Sequence, residues 1–113
     1  MSVPRPTADE DVFRAVADPT RRALMETLGR DGEQTVGALA EAVGQSVPLV
    51  SRHLAVLRGA GLVDERRAGR HRIYRLNPAP LQDLFDWAAL FSGFWTERVL
   101  NLRAYLERQK HET

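Results

Sequence analysis

No cysteine occurs among the 113 residues, so neither a disulfide nor a thiolate metal ligand is available. No run of 18 apolar residues is present either, which leaves no candidate membrane-spanning helix. The opening MSVPRPTADED has neither a basic start nor a hydrophobic signal core, and the expectation is a soluble cytoplasmic protein. A glycine-rich phosphate loop and a paired metal-ligand spacing are both missing. Ser51 and His53 are close in sequence, but they point to different sides of one helix and no third residue orients the histidine. An enzyme is therefore not expected, and no cofactor or metal is assigned. An excess of charge of one sign is lacking as well: 16 Lys and Arg face 15 Asp and Glu, for a net charge of +1.

The distribution of charge says more than its sum. Acids crowd the start, at Asp9, Glu10, Asp11 and Asp18. Residues 51–75 instead hold Arg52, Arg58, Arg66, Arg67, Arg70, Arg72 and Arg75 against only Asp64 and Glu65. A local positive field on a near-neutral body is the footprint of a nucleic-acid reader.

Residues 35–59 hold two short amphipathic patterns joined at Gly44. In the first, Val36, Leu39, Ala40 and Val43 recur at helical spacing behind Thr35 as N-cap. In the second, Ser46 caps and Val47, Val50, Leu54 and Leu57 form the apolar stripe, leaving Pro48, Leu49, Arg52 and Ala55 roughly opposite it, with Ser51 and His53 on its flanks. This is the helix-turn-helix arrangement, in which the second helix reads base edges. For His53 a packing role and a DNA contact remain equally open.

Upstream, residues 1–8 read as a flexible arm and 10–17 as a short helix with Val12, Phe13 and Val16 on one side. Asp18 and Pro19, as N-cap and first helical residue, start a helix that shows Leu24, Met25 and Leu28 and is expected to stop at Gly29, followed by a polar loop to Gln34. Downstream, LVDERRAGRHRIYRL reads as two strands around a turn at Ala68 and Gly69. Such a hairpin appended to a helix-turn-helix is a wing, and its tip presents Arg66, Arg67, Arg70, His71 and Arg72. Asn77 and Pro78 are expected to open the last helical region, 78–108, in which Leu81, Leu84, Ala88, Phe91, Trp95, Val99, Leu102 and Leu106 recur at spacings of three and four. About 26 residues at roughly 1.5 Å each outrun a small domain, so another chain is needed to cover the stripe. Ser92 and Gly93 leave open whether this region is one helix or two.

Three segments together resemble the ArsR-type family of bacterial winged-helix transcriptional repressors: DPTRRALMETL at 18–28, SVPLVSRHLAVLRGAGLV at 46–63 and RRAGRHRIYRLNP at 66–78. The resemblance covers about residues 9–78. It implies a homodimer joined by its first and last helices on an inverted repeat in promoter DNA. It also implies that Ser46, Pro48, Leu49, Ser51, Arg52 and His53 fall on the recognition helix, and Arg70 and Arg72 on the wing. Metal-sensing members carry cysteines where EQTVGALA, 33–40, has Thr35 and Gly37, so thiolate sensing is not expected. A second sensor type uses Asp, His and Glu on the last helix, which here has Asp83 and Asp86 with no histidine before His111.

The expected architecture is mostly α (α+β): a single winged helix-turn-helix over 9–113, with a two-stranded hairpin wing and a long C-terminal dimerisation helix or helices. The expected function is sequence-specific DNA binding by a homodimeric repressor, through helix 46–59 and the wing at 62–76. Candidate DNA-contacting residues are Ser46, Pro48, Leu49, Ser51, Arg52, His53, Arg67, Arg70, His71 and Arg72. Candidate dimer residues are Val12, Phe13, Val16, Leu81, Leu84, Ala88, Phe91, Trp95, Val99 and Leu102. Partners are double-stranded DNA and a second copy, without a membrane; no effector is readable. The alternative is a protein-interaction module using the long apolar helix. His111 with Glu112 is a two-ligand tail for which a frayed terminus is the plainer reading.

Overall fold

The computed structural model describes residues 8–111. Of the arm expected at 1–8, residues 1–7 lie outside them and Ala8 instead begins the first helix; Glu112 lies outside them too, as do the side chains of Trp95, Val99 and His111. Among the described residues nine elements follow one another: α1 (Ala8–Val16), α2 (Pro19–Asp31), β1 (Gln34–Thr35), α3 (Val36–Val43), α4 (Val47–Gly59), β2 (Val63–Ala68), β3 (His71–Leu76), α5 (Leu81–Ala89) and α6 (Ser92–His111).

The starts of the second, third and fourth helices are made by side chains that stand in for missing backbone partners. Asp18 accepts from the amides of Thr20 and Arg21 at 2.8 and 3.1 Å. Thr35 accepts from Ala38 at 3.2 Å and Ser46 from Leu49 at 3.3 Å. At the turn between α3 and α4, Gly44 takes the left-handed conformation (φ 68°), and the Gln45 amide reaches back to the Ala40 carbonyl at 3.1 Å. One core results. Leu24, Met25 and Leu28 of α2, Leu39 and Ala40 of α3, and Val50, Leu54 and Leu57 of α4 meet Leu62, Val63 and Tyr74 of the sheet, with Val12 and Ala15 of α1 closing one side.

The sheet has three antiparallel strands in the order β1-β3-β2. β1 was not legible in sequence: two residues ahead of α3 pair Gln34 with Tyr74 and Thr35 with Ile73. The wing turn falls at Gly69 and Arg70, one residue later than expected, because Ala68 still pairs with His71. Gly69 has φ 61° while no described non-glycine residue has positive φ, the pattern of a type II′ hairpin turn with glycine first.

Three expectations need correction. α2 runs past Gly29 to Asp31 and ends at Gly32, whose amide reaches Leu28 at 3.1 Å. Gly29 instead lies within the helix beside Leu76, whose Cδ2 a Cβ there would meet at an ordinary van der Waals distance of 3.4 Å. Asn77 does not cap a helix at Pro78: its Oδ1 accepts from Ala79 and its Nδ2 donates to Gly61, holding a turn from which α5 starts at Leu81. Val47, expected in the stripe, is 44% exposed because it is the first residue of α4 and burial begins one turn on, at Val50. The choice that Ser92 and Gly93 left open falls to two helices, with the break at Leu90 and Phe91.

Candidate nucleic-acid interface

Burying Val50, Leu54 and Leu57 turns the opposite side of α4 outward, so Pro48, Ser51, Arg52 and Ala55 are exposed and Leu49 is half-buried. Ser46 is exposed too, with its hydroxyl engaged as the cap. His53, on the flank, is half-buried with Nδ1 3.3 Å from a terminal nitrogen of Arg21.

The wing stands beside α4 and is tied to it through one carboxylate. Glu65 of β2 accepts from Arg58 of α4 at 2.6 Å, from Arg72 of β3 at 2.8 Å and from the Tyr74 hydroxyl at 3.1 Å. Burial, reinforced by that hydrogen bond to Glu65, pushes the Tyr74 hydroxyl above the usual phenol range. Between α4 and the hairpin lies a cleft of about 250 Å³ lined by Ser51, Ala55, Arg58, Glu65 and Arg72 among others. On the other face of the sheet, Arg66 pairs with Glu33 at 2.7 Å and Arg75 with Asp64 at 3.0 Å. The hydrogen bond from Arg66 holds the Glu33 carboxyl below its ordinary range.

This pairing sorts the arginines. Arg58, Arg66, Arg72 and Arg75 each have a carboxylate partner. Arg52, Arg67, Arg70 and His71 are exposed and have no hydrogen bond, ion pair or ring contact among the described residues. Arg67 moreover sits directly opposite Arg72 on one face of the hairpin, and like charges so placed destabilise a strand pair. Of the expected DNA contacts, Arg72 is thus engaged within the protein, whereas the other wing positions stand free at the tip. Sequence reasoning missed Glu65 and Arg21 as positioning groups. Glu65 becomes visible once the turn is centred on Gly69 and Arg70, which sets it opposite Tyr74; nothing local signals Arg21.

The expected dimer residues divide as well. Val12 is 1% exposed and belongs to the protomer's own core. Val16, Leu81 and Leu84 are half-buried along an open apolar groove of about 480 Å³ shared with Met25 and Leu76. Phe13 is half-buried and meets Trp87 edge-on at 5.6 Å, and Trp87 meets Phe91 at 5.4 Å. Ala88 is half-buried beside them, while Phe85, Leu90, Phe91, Phe94 and Leu102 are exposed. Among the described residues no group of three or more metal-ligating side chains gathers, and no helix is long and apolar enough to cross a membrane.

Comparison with known proteins bears on this geometry. Residues 18–65, from the start of α2 into β2, match the family model described as "Bacterial regulatory protein, arsR family". The transcriptional repressor SdpR of Bacillus subtilis is 38% identical over 81 residues, spanning 72% of this chain and 89% of SdpR. The chain belongs to the ArsR family. A second relative, the HTH-type transcriptional regulator Rv2034 of Mycobacterium tuberculosis, is 38% identical over 101 residues, covering 89% of this chain and 91% of its own. Among solved structures, the homodimeric winged helix-turn-helix DNA-binding domain of Mb0332 from Mycobacterium bovis superposes with a TM-score of 0.63 at 28% identity, over 80% of this chain and 83% of that one. The ArsR family is one of regulatory proteins, and the fold of this member is a winged helix-turn-helix.

Proposed function

We propose that this ArsR-family chain is a homodimeric, cytoplasmic transcriptional repressor that reads an inverted-repeat operator. The observation that carries the reading is the sorting of basic side chains: the hairpin arginines away from the tip are neutralised, while Arg52 on α4 and Arg67, Arg70 and His71 on the wing are left for another molecule. α4 enters the major groove with Pro48, Leu49, Ser51, Arg52 and His53 toward the bases, and Ser46 orders its first turn at the phosphates. The wing tip lies on the neighbouring phosphate row. SdpR, a relative, is a transcriptional repressor, and the Mb0332 domain is a homodimeric DNA-binding one. Two such helices related by a two-fold axis fit major grooves about 34 Å apart, and bound copies exclude polymerase from an overlapping promoter.

The test is a fluorescence-anisotropy titration of genomic fragments, selected for retention by the protein, at several salt concentrations. With roughly six to ten phosphates engaged per dimer, affinity falls about 10³ to 10⁵ fold between 50 and 200 mM salt. A flat salt response on every duplex overturns the proposal.

A further inference from the structure

Arg21 is held at three points. Its Nε donates to the Ala15 carbonyl at 2.6 Å and one terminal nitrogen to the Arg14 carbonyl at 3.0 Å, pinning the guanidinium to the C-terminal end of α1. The other terminal nitrogen stands 3.3 Å from Nδ1 of His53 on α4. A guanidinium offers only donors and does not lose its proton, so in this contact Nδ1 accepts. With Nδ1 accepting, the ring carries its N–H on Nε2. Asp18, a charged neighbour of the ring, directs its hydrogen bonds to the amides of Thr20 and Arg21 instead. Nε2 has no partner among the described residues, and the ring lies next in sequence to the exposed, unpaired Arg52.

We infer that Arg21 is a positioning residue that locks His53 in the Nε2–H form and so makes it a directed hydrogen-bond donor from the recognition helix to an acceptor on DNA. A ring free to exchange tautomers presents a donor at Nε2 only part of the time; a ring held at Nδ1 presents it always. The inference rests on the DNA-binding reading for its target but not for the lock itself, which belongs to the free protein.

Two measurements test the two halves. Long-range ¹H–¹⁵N spectra of the histidine rings are recorded on the free protein at about pH 8, above the ordinary imidazole pKa of about 6.5. His71, exposed on the wing, is the internal reference. His53 is expected as a single Nε2–H species with an acceptor-shifted Nδ1, and Arg21→Met is expected to move it to the pattern of His71. A wild-type His53 already matching His71, or protonated at Nδ1, overturns the lock. In the second arm, on the fragment that wild type binds best, His53→Asn offers Arg21 an acceptor near the Nδ1 position but has no donor at the Nε2 position, whereas His53→Gln restores that donor. Asn is expected to lose about tenfold in affinity, the scale of one hydrogen bond, and Gln to recover most of it. Equal loss in both overturns the donor role. If wild type retains no fragment, the DNA target is refuted, while the spectra still decide the lock.

Discussion

Arginine chemistry divides by partner at the scale of single residues. Arg52 has none within the described protein, so Arg52→Ala is expected to leave the fold intact and to cost about 1 to 3 kcal/mol in operator binding with relaxed preference at one base position. Equal loss on specific and random duplexes in competition titrations reassigns it to a phosphate. Glu65 works in the opposite sense. Replacing it by Gln withdraws the carboxylate that holds Arg58 and Arg72, and the two released cations are expected to tighten binding to random DNA and steepen its salt dependence while lowering Tm. Acid sensitivity is also set by named groups. The Arg21 amide above all holds the Asp18 carboxyl below its ordinary range, and the Arg66 hydrogen bond does the same for Glu33. A carboxyl whose folded pKa is depressed stabilises the fold above its unfolded pKa, and that contribution disappears as pH falls through the folded value. Tm should therefore decline below about pH 4, the ordinary carboxylate range. In Asp18→Asn the curve starts lower and declines less, as scanning calorimetry from pH 7 to pH 2 would show.

At the scale of elements, what sequence shows best is what local chemistry decides. Asp18, Thr35 and Ser46 announce α2, α3 and α4 because a cap is made within three residues of itself. The α3–α4 turn is as legible, for Gly44 alone there has positive φ. Gly44→Ala meets no steric neighbour, so its expected cost of about 1 to 2 kcal/mol in urea unfolding is purely one of backbone conformation. What sequence hides is decided across space. β1 is two residues long and exists only because β3 offers an edge. Gly29 looks like a helix stop until Leu76 is found against it, and Asn77 looks like a cap until Gly61 is found beside it. The interface follows the same rule: the free cations were visible in sequence, but Arg72 could be separated from them only after the register set Glu65 near it.

As a whole, the molecule is larger than its own core can account for. Its radius of gyration is 18.5 Å, against about 13 Å for a compact domain of this length. α5 and α6 carry the excess, with Phe85 68% and Leu90 78% exposed. Covering that surface by a second copy predicts that Phe91→Glu shifts the sedimentation equilibrium from dimer to monomer and weakens operator binding at least tenfold, with helix content by circular dichroism preserved through α1–α4. A mass unchanged at nanomolar concentration refutes the role. The carboxylates that quench all but a few wing arginines have a consequence for how such a molecule searches a chromosome. With a net charge of +1 and an ionic atmosphere about 8 Å deep, it draws little on the polyanion at long range. Bulk genomic sequence is then a weak sink, and a small number of copies is enough to keep one address occupied.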